Sequence, residues 1–213
     1  MNRLIPISGA LTAALGSLLA MGPASAVSCT FSPTGGTCNN FVTELGDKRF
    51  TVLTPPTIGS GVVDWTTANQ DFYQVDVDWA DPGLPGATGG NFGYSVEIFT
   101  GSQLFSSIGL DSVVVREDTD PDTVVTKKVY QGLDGSGPLL QTLVSTNGSN
   151  VPLQPIGGTK IFVSEDFNVG ANNLLDNVVN PIEQSNVPGP LPIVGVAAAL
   201  GWSRRMKRRL ALR

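Results

Sequence analysis

The chain has no histidine in 213 residues. That excludes Ser-His-Asp and Cys-His catalysis carried within it. It also removes the imidazole ligand on which most zinc and non-haem iron sites depend. With two cysteines the chain cannot build a four-thiolate cluster. Charged residues are 15% of the sequence, against a usual quarter or so. Positive charge is scarce where a folded body would lie: six Lys and Arg stand against eighteen Asp and Glu between residues 27 and 187, a net −12. Nucleic acid is therefore not an expected partner of that body, because phosphate contacts need clustered cations. No stretch of that body sustains a 3.6-residue apolar period, so helices are not expected in it.

What is present begins with an export signal. Arg3 precedes an apolar stretch over 4–21, and Pro23 leads into Ala24-Ser25-Ala26. This is the order of a secretory signal with an A-x-A cleavage site, so residues 1–26 read as a signal helix for signal peptidase. The mature chain is expected to start at Val27. Pro6, Ser8, Gly9 and Gly16 interrupt the apolar stretch, which suits a transient helix better than a permanent span. Cys29 lies just beyond, but Ala26-Val27-Ser28 before it is a poor lipoprotein motif. Cys29 and Cys38 are nine apart with Pro33, Thr34, Gly35 and Gly36 between them. In an exported chain that spacing reads as a local disulfide.

The other end carries a second signal. Val187-Pro188-Gly189-Pro190-Leu191-Pro192 breaks any preceding element. Ile193 to Trp202 is apolar, and Arg204, Arg205, Lys207, Arg208 and Arg209 follow. Leu191 to Trp202 is 12 residues, about 18 Å as a helix, against a hydrocarbon core of roughly 30 Å. The run is apolar all round, unlike a surface-lying amphipathic helix, and the basic tail belongs on the cytoplasmic side. A plain tail anchor is the alternative reading.

This order of Pro motif, short apolar helix, interfacial Trp and basic tail resembles the PEP-CTERM sorting signal, in its cyanobacterial Val-Pro-Gly-Pro-Leu-Pro variant. The resemblance covers 187–210 and the paired N-terminal signal. The family's name denotes Pro-Glu-Pro, and Gly189 stands at the middle position here. The resemblance implies export, transient membrane retention through the C-terminal helix, and cleavage by an exosortase-type transpeptidase that recognises Val187, Pro188, Gly189 and Pro190. It further implies a place at the cell surface or in the extracellular matrix, with exopolysaccharide as a partner. No catalytic residue follows from it, and the chain is read as substrate rather than enzyme.

The body, 27–179, reads as all-β. Apolar alternation and turn residues predict strands near 49–53, 61–66, 72–79, 91–99, 111–116, 123–130, 139–145 and 160–166, with a short ninth at 174–179. In 72–79, Tyr73, Val75, Val77 and Trp79 share one face, and Phe72, Gln74, Asp76 and Asp78 the other, expected to be wet. The strand at 111–116 is a weaker one, and Val113, Val114 and Val115 in succession fit a more buried strand. Gly132 to Gly137 predicts a hairpin loop and Asn147-Gly148 a turn. Nine short strands with glycine-rich loops predict an antiparallel, jelly-roll-like β-sandwich. Residues 180–186 read as a linker to the sorting signal at 187–213.

Few residue groups in the body point to chemistry. Asp118, Asp120 and Asp122 alternate in a loop and are the calcium candidate, although Thr123 stands where an EF-hand needs glycine and Pro121 stiffens the loop. No other cofactor is indicated. Asp76, Asp78 and Asp81 are an acidic group whose spacing is compatible with glycoside hydrolysis only if one were buried. Trp65, Trp79, Tyr73, Tyr94 and Tyr130 would be a sugar-stacking platform if exposed and a core if not. Gly46-Asp47-Lys48-Arg49-Phe50 resembles an early strand motif of secreted PEP-CTERM proteins. A binding module for carbohydrate or Ca²⁺, delivered by the same signals, is the alternative to a structural surface protein.

Overall fold

A computed structural model of the chain describes residues 25–69, 71–80, 84–86, 88–115 and 122–186. They form β1 (Ser25–Phe31), β2 (Val42–Leu45), β3 (Lys48–Thr54), β4 (Gly61–Asn69), β5 (Phe72–Trp79), β6 (Leu84–Pro85), β7 (Thr88–Ile98), β8 (Gln103–Val115), β9 (Val124–Gln131), β10 (Leu139–Thr146), β11 (Val151–Pro155), β12 (Lys160–Asn168) and β13 (Leu174–Asn186). Among the described residues there is no helix. The strands make two antiparallel sheets packed as a sandwich. One runs β1-β4-β5-β13-β8-β11, with β6 beside β13, and the other β10-β9-β12-β7-β3-β2.

From β5 onward the chain shuttles between the layers: β7 in the second sheet, β8 in the first, β9 and β10 in the second, then β11, β12 and β13 by turns. The first and last strands of this path, β5 and β13, are neighbours, as are β7 and β12. β1 and β4 widen the first sheet beyond β5, and β3 and β2 widen the second beyond β7.

Period-two alternation drives each layer. In β5 every second residue, Tyr73, Val75, Val77 and Trp79, is buried as expected. Trp79 links the two layers. Its ring meets Phe31 of β1 and Phe167 of β12 nearly edge-on, at centroid distances of 6.1 and 5.1 Å. Its Nε1 donates to the Ile58 carbonyl at 3.1 Å, so the one polar atom of the indole is satisfied. Each such apolar side chain, fully buried, contributes roughly 1.5–3 kcal/mol. The Asn147-Gly148 turn has φ of +53° and +79°, and Ser149 N donates to Thr146 O at 3.1 Å. That is the left-handed pair of a type I′ turn.

Several expectations need correction. Residues 180–186 are not a linker but the second half of β13, paired with β5 through Glu183 and with β8 through Asn186. Val113 and Val115 are about half exposed, so the end of β8 is less buried than its three valines suggest. β8 also begins at Gln103, eight residues before the expected start. β1, β2, β6 and β11 were not anticipated. Ser25 and Ala26, on the signal side of the expected cleavage point, pair with Thr67 and Thr66 in the first rungs of the β1–β4 ladder. The remainder of the N-terminal signal and all of 187–213 lie outside the described residues.

Candidate functional site

Two groups of polar side chains have a defined geometry. The first is at one end of the sandwich. The β2–β3 hairpin turns on Gly46 and Asp47. Gly46 has a φ of +60°, and a Cβ there would sit 2.8 Å from the Tyr73 hydroxyl, which leaves glycine as the residue that fits. Asp47 Oδ1 accepts from Tyr73 Oη at 2.9 Å and from Lys48 Nζ at 2.5 Å. Lys48 occupies an inward position of β3 and is fully buried. Its Nζ lies 4.6 Å from the centroid of the Tyr73 ring and 5.9 Å from that of Phe105, two cation–π contacts that help hold the charge in an apolar setting. Burial pulls the Lys48 pKa down, and the Asp47 carboxylate opposes that. Over this group opens a cleft of about 450 Å³, walled by Asp47, Tyr73, Thr100, Ser102 and Gln103. Hydroxyls, an amide and an already paired carboxylate suit hydrogen bonding to a hydroxylated ligand.

The second group lies in the middle of the sandwich. Lys127 on β9 and Glu165 on β12 are directly opposite across their ladder, face inward, and are fully buried. Nζ is 3.7 Å from Oε1. Lys127 also crosses the interior and donates to the Gly109 carbonyl of β8. The reason that carbonyl is available lies in β13. The rungs Val179↔Asp111 and Ile182↔Ile108 put Pro181 opposite Gly109, and proline has no N–H to give to a ladder. Asn180, next in the chain and also fully buried, projects inward beside the Glu165 carboxyl. The Tyr94 hydroxyl of β7 faces the same spot, and burial, then the Glu165 charge, push its pKa up.

This centre is poorly solvated. Both oxygens of Glu165, both polar atoms of Asn180 and the Tyr94 hydroxyl have no hydrogen-bond partner among the described residues. A buried polar group left in that condition costs about 1–3 kcal/mol. Desolvation therefore dominates the titration of the pair. It pushes Glu165 up to about 7 against the pull of Lys127, and Lys127 down to about 8 against the pull of Glu165. Both shifts favour an uncharged carboxyl beside an uncharged amine.

The residues singled out from sequence distribute unevenly. Cys29 and Cys38 form the disulfide, with Cα atoms 5.0 Å apart. It ties β1 to the turn that follows, and both residues belong to the core. Asp122 is described and exposed, and accepts from Asn147 Nδ2 at 2.7 Å. Asp118 and Asp120, and the motif residues Val187, Pro188, Gly189 and Pro190, lie outside the described residues. Among the described residues there is no group of three or more acidic, His or Cys side chains placed to hold a metal. Trp65, Tyr73, Trp79 and Tyr94 are buried. These four make a core and not a stacking platform; Tyr130, beside Phe162 at 6.1 Å, faces outward.

The acidic face of β5 is less wet than expected. Asp64 of β4 is directly opposite Asp76. Desolvation first, then neighbouring carboxylates, raise both pKa values. Gln74 Nε2 spans both oxygens of Asp76 at 2.9 and 2.8 Å. Asp81 is outside the described residues.

The central group was not found from sequence, yet it had a signal. Lys127 stands between Val125 and Val129, and Glu165 between Val163 and Phe167, each at the apolar parity of its strand. A charge in that register is a charge aimed at the core. No protein-family model and no curated protein matches the chain.

Proposed function

We propose that this is an exported, non-enzymatic protein of the cell surface or extracellular matrix, sorted through its C-terminal segment and cleaved there by an exosortase-type transpeptidase. The observation that carries the reading is the position of β13. This central strand is described through Asn186, and the Val187-Pro188-Gly189-Pro190 motif follows it directly in the chain. Cleavage within that motif would leave every described strand of the sandwich whole. The disulfide fits an oxidising compartment. The placement of Trp65, Tyr73, Trp79 and Tyr94 in the core removes most of the surface a stacking lectin would use.

The strand path supports a finer description of the body. The orders β5-β13-β8-β11 and β7-β12-β9-β10 are those of a jelly roll of two Greek keys, with β1 to β4 as added flanking strands. A second reading, as a binding module for exopolysaccharide, rests on the open cleft above Asp47 and Tyr73. Binding of neutral polysaccharide that is lost on substituting Ser102 and Gln103 would establish it.

A peptide tag placed after Arg213 tests the sorting reading. The account expects matrix-associated protein to carry no tag, and substitution of Pro188 and Pro190 by alanine to retain it in the membrane. Matrix protein that keeps the tag would overturn it.

A further inference from the structure

We propose that Lys127 and Asn180 become joined by an intramolecular isopeptide bond, formed within the folded core with Glu165 as the proton carrier. The bond would fasten the two sheets together.

The three side chains meet the requirements of that chemistry by position. They come from three strands, β9, β12 and β13, and from both sheets. Lys127 is held across the interior, with Nζ on the Gly109 carbonyl opposite Pro181, one residue along β13 from Asn180. Glu165 lies within 3.7 Å of that nitrogen and beside the Asn180 amide. All three are fully buried, so water does not compete for the amide carbon. The carboxyl and amide atoms have no other partner among the described residues. Burial favours the neutral forms of amine and acid, the states the reaction consumes.

The step balances without an outside reagent. The lone pair of neutral Lys127 Nζ adds to Cγ of Asn180, while the protonated Glu165 carboxyl hydrogen-bonds Oδ1 and stabilises the charge that develops there. Glu165 takes a proton from Nζ and delivers one to Nδ2. The Cγ–Nδ2 bond breaks, ammonia leaves, and a Cγ–Nζ amide remains. Nothing is oxidised or reduced, and Glu165 ends as it began. The product replaces a buried amine by an amide with one N–H left to donate. β13, the strand that leads to the C-terminal segment, is then covalently tied to β9.

Intact mass of the purified full chain tests the proposal, followed by tandem mass spectrometry of a digest. The expected deficit is about 17 Da, the mass of ammonia, beyond the two hydrogens of the disulfide. The digest should give one branched peptide joining the segments that hold Lys127 and Asn180, resistant to reductant. Glu165→Gln should restore the full mass. Asn180→Asp should yield the same cross-linked product, losing water instead. A wild-type chain whose only deficit is the two hydrogens of the disulfide, with separate Lys127 and Asn180 peptides, would overturn the proposal and leave the three side chains as an unlinked buried cluster. Loss at either terminus maps to other peptides, so the outcome is independent of sorting.

Discussion

Lys127 crosses from one sheet to the other and donates to the Gly109 carbonyl, the acceptor that Pro181 leaves without a ladder partner. One residue choice in β13 thereby explains a charged side chain in the core of the opposite layer. Proline in a central strand normally costs a backbone hydrogen bond; here Lys127 Nζ donates in place of the missing amide. The same chain geometry brings Lys127 to Glu165 and Asn180, so the broken rung and the buried polar centre are one feature.

The pH dependence of stability should expose that centre in Asn180→Ala, where no cross-link can form. Glu165 rises from 4.5 to about 7 on folding. Between those values the folded state keeps a proton that the unfolded state has lost, so stability falls as pH rises. Lys127 drops from 10.5 to about 8. Above pH 8 the folded state has lost a proton that the unfolded state keeps, so stability rises again towards pH 10.5. Each arm is at most about 1.4 kcal/mol per pH unit. The Tyr94 hydroxyl, which faces the pair, itself titrates well above 10, and Asp76 acts on Tyr94 from the first sheet. Urea midpoints across pH 5–10 should show a minimum near 7–8 in the variant. In the cross-linked wild type Lys127 no longer titrates, and the rise above pH 8 should be absent.

Asp47→Ala should cost about 2–4 kcal/mol. It strips Lys48, fully buried, of its counter-charge and leaves the Tyr73 hydroxyl without its acceptor. Adding Lys48→Met should recover most of the loss, because an apolar chain of similar length suits the same position. Thermal unfolding of the single and double variants reads both effects.

Opening the Cys29–Cys38 bridge should destabilise the fold by roughly 2–3 kcal/mol, the chain-entropy value for so short a loop. A Cys29→Ala/Cys38→Ala double variant should therefore unfold roughly 5–10 °C lower. Reductant should move the wild type in the same direction and leave the double variant unchanged.

Asp76→Asn should raise stability at pH 7 by about 0.2–1 kcal/mol, the scale for like charges directly opposite on a ladder. Asp64 and Asp76 both have raised pKa values, so the folded state holds protons that the unfolded state gives up, and stability is lost as pH rises through their titration. At pH 3, with both carboxyls protonated, wild type and variant should have equal unfolding midpoints.

Sequence pattern sufficed where strands alternate cleanly. β5 was bounded correctly because Tyr73, Val75, Val77 and Trp79 alternate with polar residues. The Cys29–Cys38 pairing followed from spacing and turn residues. The second half of β13 was hidden because two of its three inward positions, Asn180 and Gln184 on either side of Ile182, are polar and its sequence holds Pro181, all of which read as loop. The first half of β8 was hidden by serines and by Gly109 between its apolar residues. Val113 to Val115 misled in the other direction, since three valines do not say which face is covered. Of the polar centres, Asp47 and Lys48 sat within a noticed motif. Lys127, Glu165 and Asn180 did not, because their meaning depends on which strands become neighbours across the sandwich.

The most direct test of the account is the intact mass of the native protein recovered separately from membrane and extracellular-matrix fractions. The account predicts a matrix species that begins near Val27 and ends between Val187 and Pro190. A species that retains Arg213 and stays in the membrane would contradict it, and the protein would then be a permanently anchored domain.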